Sequence, residues 1–324
     1  MERARFGFIV HALSPLHRAA IGVRAGNLQM ALWRDDGVDP DGITRLCTLR
    51  LGDIVGEVVA IPLTPDQMLA DQQQALVRMV QAVESLGPVD AVGLGSLCAV
   101  VAGRGEALAE WVDIPITTGG AATAWALAEN TLAATTNIAG PAAVIGARSP
   151  VGQAVCRILA DSGRTVHTDS KRAARKIDGA VGFKEPTAAA EGCPIIVGAG
   201  PTGGTLPAAA VSAGATIVDV AIPGTIVGKL PAGCRVLSGE AMLTPRGWQA
   251  RGWGRLYHLL AGYGLSQIYA CLAEPLVMAA LGRTAPMALG RRVSVDDVRL
   301  FGETARELGF SPVLLPEHGL QRWF

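Results

Sequence analysis

The run AAVIGARSPVGQAVCRILADSGRTVHTD, Ala142–Asp169, decides the fold. Four apolar residues lead into Gly146, and Gly152 follows six positions later. Val151, Val155, Ile158 and Leu159 then recur at helical spacing, and Gly163 stands where a helix closes on a left-handed residue. RTVHTD begins a second strand at once. Strand, glycine turn, helix and strand make a complete β-α-β unit. The N-terminus of such a helix presents free N–H groups and a positive dipole end, the setting that suits a pyrophosphate.

Downstream the alternation continues. PIIVGAG, a short helix, ATIVDVAI and RVLSGE follow in order. Strands alternating with short helices imply a doubly wound parallel sheet of the Rossmann type. Upstream, FGFIVHAL from Phe6 reads as a buried strand, with further strands near Thr44–Leu51, at 57–62 and in VDAVGLGSL. A single helix is expected from Thr64 to Leu86, with Pro65 at its start and Gly87-Pro88 past its end. Ala121 to about Thr136 reads as a helix that bridges two domains. The expected layout is a smaller α/β substrate-binding domain over 1–125 and a nucleotide-binding domain over 126–250. A helical segment over 251–324 is expected to pack on the substrate domain, so that domain is built from both chain ends.

Composition narrows the function classes. The 324 residues are half hydrophobic, with few aromatics and 40 glycines, which suits close helix-on-sheet packing. The formal net charge is zero, so no global field draws the chain to nucleic acid or an anionic membrane. The uncharged run at 192–218 is broken by Pro194, Pro201, Pro207 and several glycines, and reads as strand, loop, short helix and strand rather than a membrane span. Cys47, Cys98, Cys156, Cys193, Cys234 and Cys271 show no C-x-x-C pair, which argues against a zinc ribbon and a thioredoxin-like motif. The opening MERARFGFIV does not read as a secretory leader, and free thiols make the cytoplasm the expected compartment.

Two glycine loops compete for the cofactor. In the first, Ser149 replaces the middle glycine of the usual G-x-G-x-x-G fingerprint, and Pro150 follows it. The second, Gly198-Ala199-Gly200-Pro-Thr-Gly203, fits the letters better, yet Pro207 and Gly214 leave room for only a stub of helix. It reads as a second wall of the same site. Asp169 ends the second strand, where an acid favours a ribose 2′-hydroxyl and hence NAD. Ser170, Lys171 and Arg172 follow it, and a basic loop, joined by Arg148, suits the 2′-phosphate of NADP. Three cations against one carboxylate point to NADPH. The candidate cofactor residues are Gly146, Ala147, Arg148, Ser149, Val151, Gly152, Ser170, Lys171, Arg172, Gly198, Ala199, Gly200 and Gly239.

SQIYACLAEP, Ser266–Pro275, sets Cys271 in an apolar run four residues before a proline. Taken alone, Cys271 is a small buried filler more often than a nucleophile. Pro275 has no N–H to give to the Cys271 carbonyl, so the helix is expected to kink or restart there. A restart with Pro275 in the first turn would put Cys271 at a positive helix end, which favours a thiolate.

Together these segments resemble the long-chain acyl-[acyl-carrier-protein] reductases of cyanobacteria and their relatives, collinearly over most of the chain. FGFIVHALS, TPDQMLA, ITTGGAATAW, AVIGARSPVGQAVCRIL, QIYACLAE and VSVDDVRLFGETARELGFSPVLL carry the resemblance. It implies reduction of a fatty acyl thioester to an aldehyde with NADPH, through an acyl-enzyme on Cys271. It also implies His11 as a proton donor, Thr117, Thr118, Gly119 and Gly120 at the substrate, and Gly146, Ala147 and Gly152 at the pyrophosphate. The chain departs from the family at Gly120 and Ala122, which stand in place of asparagine and histidine. Ser238-Gly239-Glu240 replaces an Asn-Gly-Gly type turn, and Ser170 stands where an arginine is usual, leaving the 2′-phosphate to Lys171 or Arg172. An acidic acyl carrier protein would dock on arginines, either Arg246, Arg251 and Arg255 or Arg283, Arg291 and Arg292; a coenzyme A thioester fits them equally. Tyr257 and His258 lie upstream of the cysteine, and nothing in the sequence places them. Two rival readings stand beside this one: a dehydrogenase with direct hydride transfer and a shikimate-type or methylene-tetrahydropterin-type layout, and a non-catalytic NADP-binding sensor.

Overall fold

The computed structural model describes residues 4–12, 42–201, 203–252 and 264–316. They fall into two compact units. The first takes 4–12, 42–119, 245–252 and 271–290; the second takes 120–201, 203–244, 264–270 and 291–316.

In the first unit, β1 (Arg5–His11) lies inside a mixed sheet with β2 (Thr44–Leu51), β3 (Ile54–Ile61), β4 (Ala91–Leu94) and β5 (Ile116–Thr117). The strand order is β2-β3-β1-β4-β5, with Gln249–Arg251 pairing on the outer edge of β2. β1 runs parallel to both neighbours, β3 and β4, and is covered on both faces, which is why it reads as a continuous apolar run. Ile9, Val59, Ile61, Val92, Leu94 and Ile116 pack with Met68, Met79 and Val83 from the covering helices. The expected single helix is two, Pro65–Ala70 and Gln72–Ser85. Asp71 leaves helical geometry at φ −137° and its carboxylate accepts from Gln74 N at 2.8 Å, so one side chain caps the second helix as the first ends.

The second unit carries the nucleotide-type sheet. Its strands are β6 (Ala142–Ile145), β7 (Val166–Thr168), β8 (Ala180–Gly182), β9 (Ile195–Gly198), β10 (Thr216–Asp219) and β11 (Arg235–Ser238). All six are parallel, in the spatial order β8-β7-β6-β9-β10-β11, and Leu315–Pro316 closes the far edge antiparallel to β11. Counted from β6 this is 3-2-1-4-5-6, the doubly wound order whose switch point lies between the first and fourth strands. The expected α/β fold with a doubly wound sheet is therefore present. The helix Pro150–Asp161 buries Val155, Cys156 and Leu159; full burial of a leucine contributes about 2 kcal/mol over leaving it exposed.

The C-terminal segment is not one piece on the first unit, as the sequence led us to expect. Of its described residues, 251–252 and 271–290 belong there, and 264–270 and 291–316 fall in the second unit. The helix Val295–Glu307 packs in the second unit on the long helix Gly120–Ala134, with Phe301 edge-on to Trp125 at 5.6 Å and the Arg306 guanidinium 5.1 Å above the same ring. Gly302 leaves the room: a Cβ there would stand 2.2 Å from Trp125 Nε1.

Candidate active site

At the switch point, β6 ends in Gly146 with φ +92°, where a Cβ would also lie 2.4 Å from Gly200 N. A Cβ on Gly152 would lie 2.4 Å from the Gly146 carbonyl oxygen. Both positions demand glycine, one through backbone sign and crowding, the other through crowding alone. Ser149 caps the helix: its Oγ accepts from Gly152 N at 2.8 Å and donates to the Ala199 carbonyl at 2.8 Å. That second bond and the Gly146–Gly200 approach bring the two glycine loops together. Ala147 is buried, Val151 partly buried and Arg148 exposed. Gly146 and Gly152 give the close backbone approach that a dinucleotide pyrophosphate needs.

Asp169 does not hang free for a ribose. Its two carboxylate oxygens accept from Gly146 N and Ala147 N, each at 2.9 Å. The acid that argued for NAD is thus engaged in holding the glycine loop. Ser170 is buried and caps the short helix Lys171–Ala174 through Ala173 N at 3.2 Å, while Lys171 and Arg172 are exposed. Gly239 is buried, and a Cβ there would lie 2.4 Å from Leu127 of the long helix. Asn130 Nδ2 donates to the carbonyls of Gly239 and Ala241, fixing the turn after β11.

Two carboxyls at this end of the sheet had escaped a functional reading. Asp219, at the end of β10, accepts from Ala221 N, Thr225 N and Thr225 Oγ1 and lies against Gly198. Burial raises its pKa, and those hydrogen bonds oppose the rise. Glu240 follows Gly239; burial, then the charge of Asp219, push its carboxyl up to about 8. Among the described residues no hydrogen bond or ion pair holds that carboxyl.

In the first unit, Cys271 lies in the first turn of the helix Ala270–Ala280 and is half-buried. Gly119, at φ +73°, presses its backbone on the cysteine: a Cβ on Gly119 would stand 2.3 Å from Cys271 Cβ. Thr117 ends β5, and its hydroxyl donates to the carboxyl of Glu274, three residues after the cysteine on the same helix. Thr118 N donates to the Ala288 carbonyl at 3.0 Å. Gly120 opens the long helix of the second unit. Cys271 thus meets the Thr117–Gly119 turn that the resemblance assigned to substrate.

The remaining thiols differ. Cys47, Cys98, Cys156 and Cys193 are buried, and desolvation raises each, to about 12 for Cys47 and about 11 for Cys193. They are inert packing at neutral pH. Cys271 stands in the N-terminal turn of its helix, although not as expected. The helix runs through Pro275 without a restart, and it begins at Ala270 instead. The proline ring is accommodated because β4 offers Gly93, whose Cβ would lie 2.6 Å from Pro275 Cγ.

His11 is a second correction. It is buried, its Nδ1 lies 2.9 Å from the Ala12 carbonyl, and its Nε2 accepts from Leu97 N at 3.3 Å. Desolvation lowers its pKa, against a smaller rise from the Ala12 bond. A neutral ring with both nitrogens on the backbone is a structural histidine, not a proton donor. Tyr257, His258 and Arg255 lie outside the described residues. Arg246, Arg251, Arg291 and Arg292 are exposed, and Arg283 donates to the Ala285 carbonyl. Among the described residues no group of three His, Cys, Asp or Glu could hold a metal, and no helix is long and apolar enough to cross a membrane.

No protein-family model matches the chain. Among curated proteins it is 24% identical to one named Aminotransferase PigE from Serratia sp. (strain ATCC 39006), over 97% of this chain and 40% of that protein. The chain therefore spans about two fifths of that relative's length. Among solved structures, a protein described as a malic enzyme (malate oxidoreductase) aligns with 96% of this chain and 86% of its own, at 14% identity and a TM-score of 0.41. A 5,10-methylenetetrahydrofolate dehydrogenase from the silkworm Bombyx mori aligns over 94% and 89%, at 17% identity and 0.31. The D-lactate dehydrogenase of Lactobacillus jensenii aligns over 93% and 95%, at 12% and 0.26. At these scores the fold rests on the strand order itself.

Proposed function

We propose that the chain is an NADPH-dependent reductase that converts an acyl thioester to an aldehyde through an acyl-enzyme on Cys271. The observation that carries the reading is the Gly119 backbone seated on a half-buried cysteine in the first turn of a helix. Gly119 can take no side chain there.

Gly146, Ala147, Ser149 and Gly152 would line the close approach of the pyrophosphate of the dinucleotide, and Lys171 and Arg172 would meet its 2′-phosphate. When bound, the reduced nicotinamide supplies the hydride. The chain's own work begins at Cys271. Its thiolate attacks the thioester carbonyl, the bond to the carrier sulfur breaks, and the carrier leaves as a thiol after taking up a proton. Thr117 and Glu274 hold the turn that faces the cysteine. The exposed arginines suit an acidic acyl carrier protein or the phosphates of coenzyme A. The relative's name agrees with such a product, since an aldehyde is the kind of carbonyl an aminotransferase converts to an amine.

The test is intact-protein mass after incubation with acyl thioesters of several chain lengths, without nucleotide. An acyl adduct that disappears in Cys271→Ser is expected. No adduct with any thioester, together with unchanged NADPH oxidation by Cys271→Ser, would move the protein to direct hydride transfer. Nucleotide binding without turnover of any of these thioesters would favour the sensor reading.

A further inference from the structure

The segment after β7 carries more positive charge than one 2′-phosphate needs. Lys171, Arg172, Arg175 and Lys176 are four cations in six residues, in a chain whose formal net charge is zero. We propose that Arg175 and Lys176 are steering residues: they speed the arrival of a 2′-phosphorylated nucleotide at Lys171 and Arg172 without holding it. This rests on the cofactor reading above, and names residues that select the nucleotide during its approach.

All four cations are exposed, while Ala173 and Ala174 between them are buried. Arg175 N donates to the Lys171 carbonyl at 3.3 Å, so these two cations stand one turn apart. Gly182 of β8 seats the segment on the sheet: a Cβ there would stand 2.7 Å from Lys171 Cα. Local electrostatics oppose this arrangement. Like charges one turn apart repel. Lys171 and Arg172 occupy the first turn of the helix, whose end is itself positive. Among the described residues no ion pair offsets any of the four. Of the acids nearest in the chain, Asp169 is engaged with Gly146 N and Ala147 N, and Asp178 and Glu185 are exposed and form no described ion pair. Repulsion retained where the fold gains nothing from it points to an anion that comes from outside.

Position separates two roles within the segment. Lys171 follows the carboxyl end of β7, and the exposed Arg148 and Lys184 follow the carboxyl ends of β6 and β8, at the same edge of the parallel sheet. From Lys171 the chain turns back toward the amino end of β7, where Val166 N donates to the Gly179 carbonyl at 3.4 Å. Arg175 and Lys176 are therefore about one helical turn, roughly 5 Å, farther from the edge. Contact with a phosphate at the edge falls to Lys171 and Arg172. The Debye length of about 8 Å at physiological salt still lets the field of Arg175 and Lys176 reach that edge. NADPH carries a 2′-phosphate that NADH lacks, so this field draws NADPH more strongly. Whole charged clefts raise association rates by about 10- to 1,000-fold, and two charges belong at the low end of that range.

Stopped-flow association of NADPH, followed by nicotinamide fluorescence, tests this with no substrate and no turnover. The native chain is compared with Arg175→Gln/Lys176→Gln between about 20 and about 300 mM salt. At low salt the variant's association rate should fall by about three- to tenfold with NADPH and by less with NADH, while its dissociation rate stays within about twofold. The two proteins should converge at high salt. An equilibrium fluorescence titration checks the ratio of the two rates. Equal association rates at low salt would overturn the inference and leave the cofactor reading intact. A loss carried by dissociation, or one that persists at high salt, would also overturn it, because it would make the two residues contacts or structural supports. A native association rate that does not change with salt decides against it even if the variant does not fold. No binding of NADPH to the native chain would overturn the cofactor reading and this inference together.

Discussion

Gly119 shows how much one missing side chain determines. Its positive φ already disfavours any other residue, and the overlap with Cys271 Cβ adds a clash against a fixed helix. Gly119→Ala should lower stability by about 2 kcal/mol or more, seen as a lower denaturant midpoint, and should slow acyl-adduct formation. Thr117 and Glu274 act on the same turn from the other side. Thr117→Val keeps the shape and removes the hydroxyl, which leaves the buried carboxyl short of a donor. Adduct formation should slow in Thr117→Val and recover in Thr117→Ser. Equal rates in the two variants would show that the hydroxyl does not position the turn.

The helices that present these groups were legible to different degrees. The glycine-loop helix was readable because its apolar residues recur at helical spacing between Gly152 and Gly163. Ser149→Ala should cost about 1–2 kcal/mol, since it removes a cap and the bond to Ala199. It should weaken NADPH binding in the same titration. The Asp169 bond to this loop was not readable, because its partners are backbone N–H groups that leave no mark in the sequence. The strand-end acid looked like a ribose ligand for that reason. The cysteine helix was misread where a local rule met a tertiary one. A proline inside a helix predicts a break, yet Gly93 on β4 gives the ring a seat, and the helix continues. His11 shows the opposite limit: a resemblance proposed a role, and the hydrogen bonds to Ala12 and Leu97 give it another.

At the scale of the whole chain, the proposed cofactor choice rests on the exposed Lys171 and Arg172. Lys171→Ala/Arg172→Ala should weaken NADPH much more than NADH; equal loss would refute the 2′-phosphate assignment. The titrating carboxyls also shape stability over pH, in a window that other groups leave clear. His11 has a lowered pKa, so its contribution rises with pH and is complete above its unfolded value of about 6.5. The buried thiols are raised above 9, so they reduce stability only at higher pH. Between about 6.5 and 8 the resolved shift with a stated value is that of Glu240. Its folded pKa lies above its unfolded one, so the folded protein binds more protons in this range, and stability must fall as pH rises. Asp219 shifts in the same direction from its own lower starting point. Denaturant midpoints taken at pH 6.5, 7.3 and 8 should therefore decline in the native protein, and Glu240→Gln should flatten the decline. A native midpoint that rises across this range, or the same slope in Glu240→Gln, would mean that Glu240 is already ionised in the folded chain.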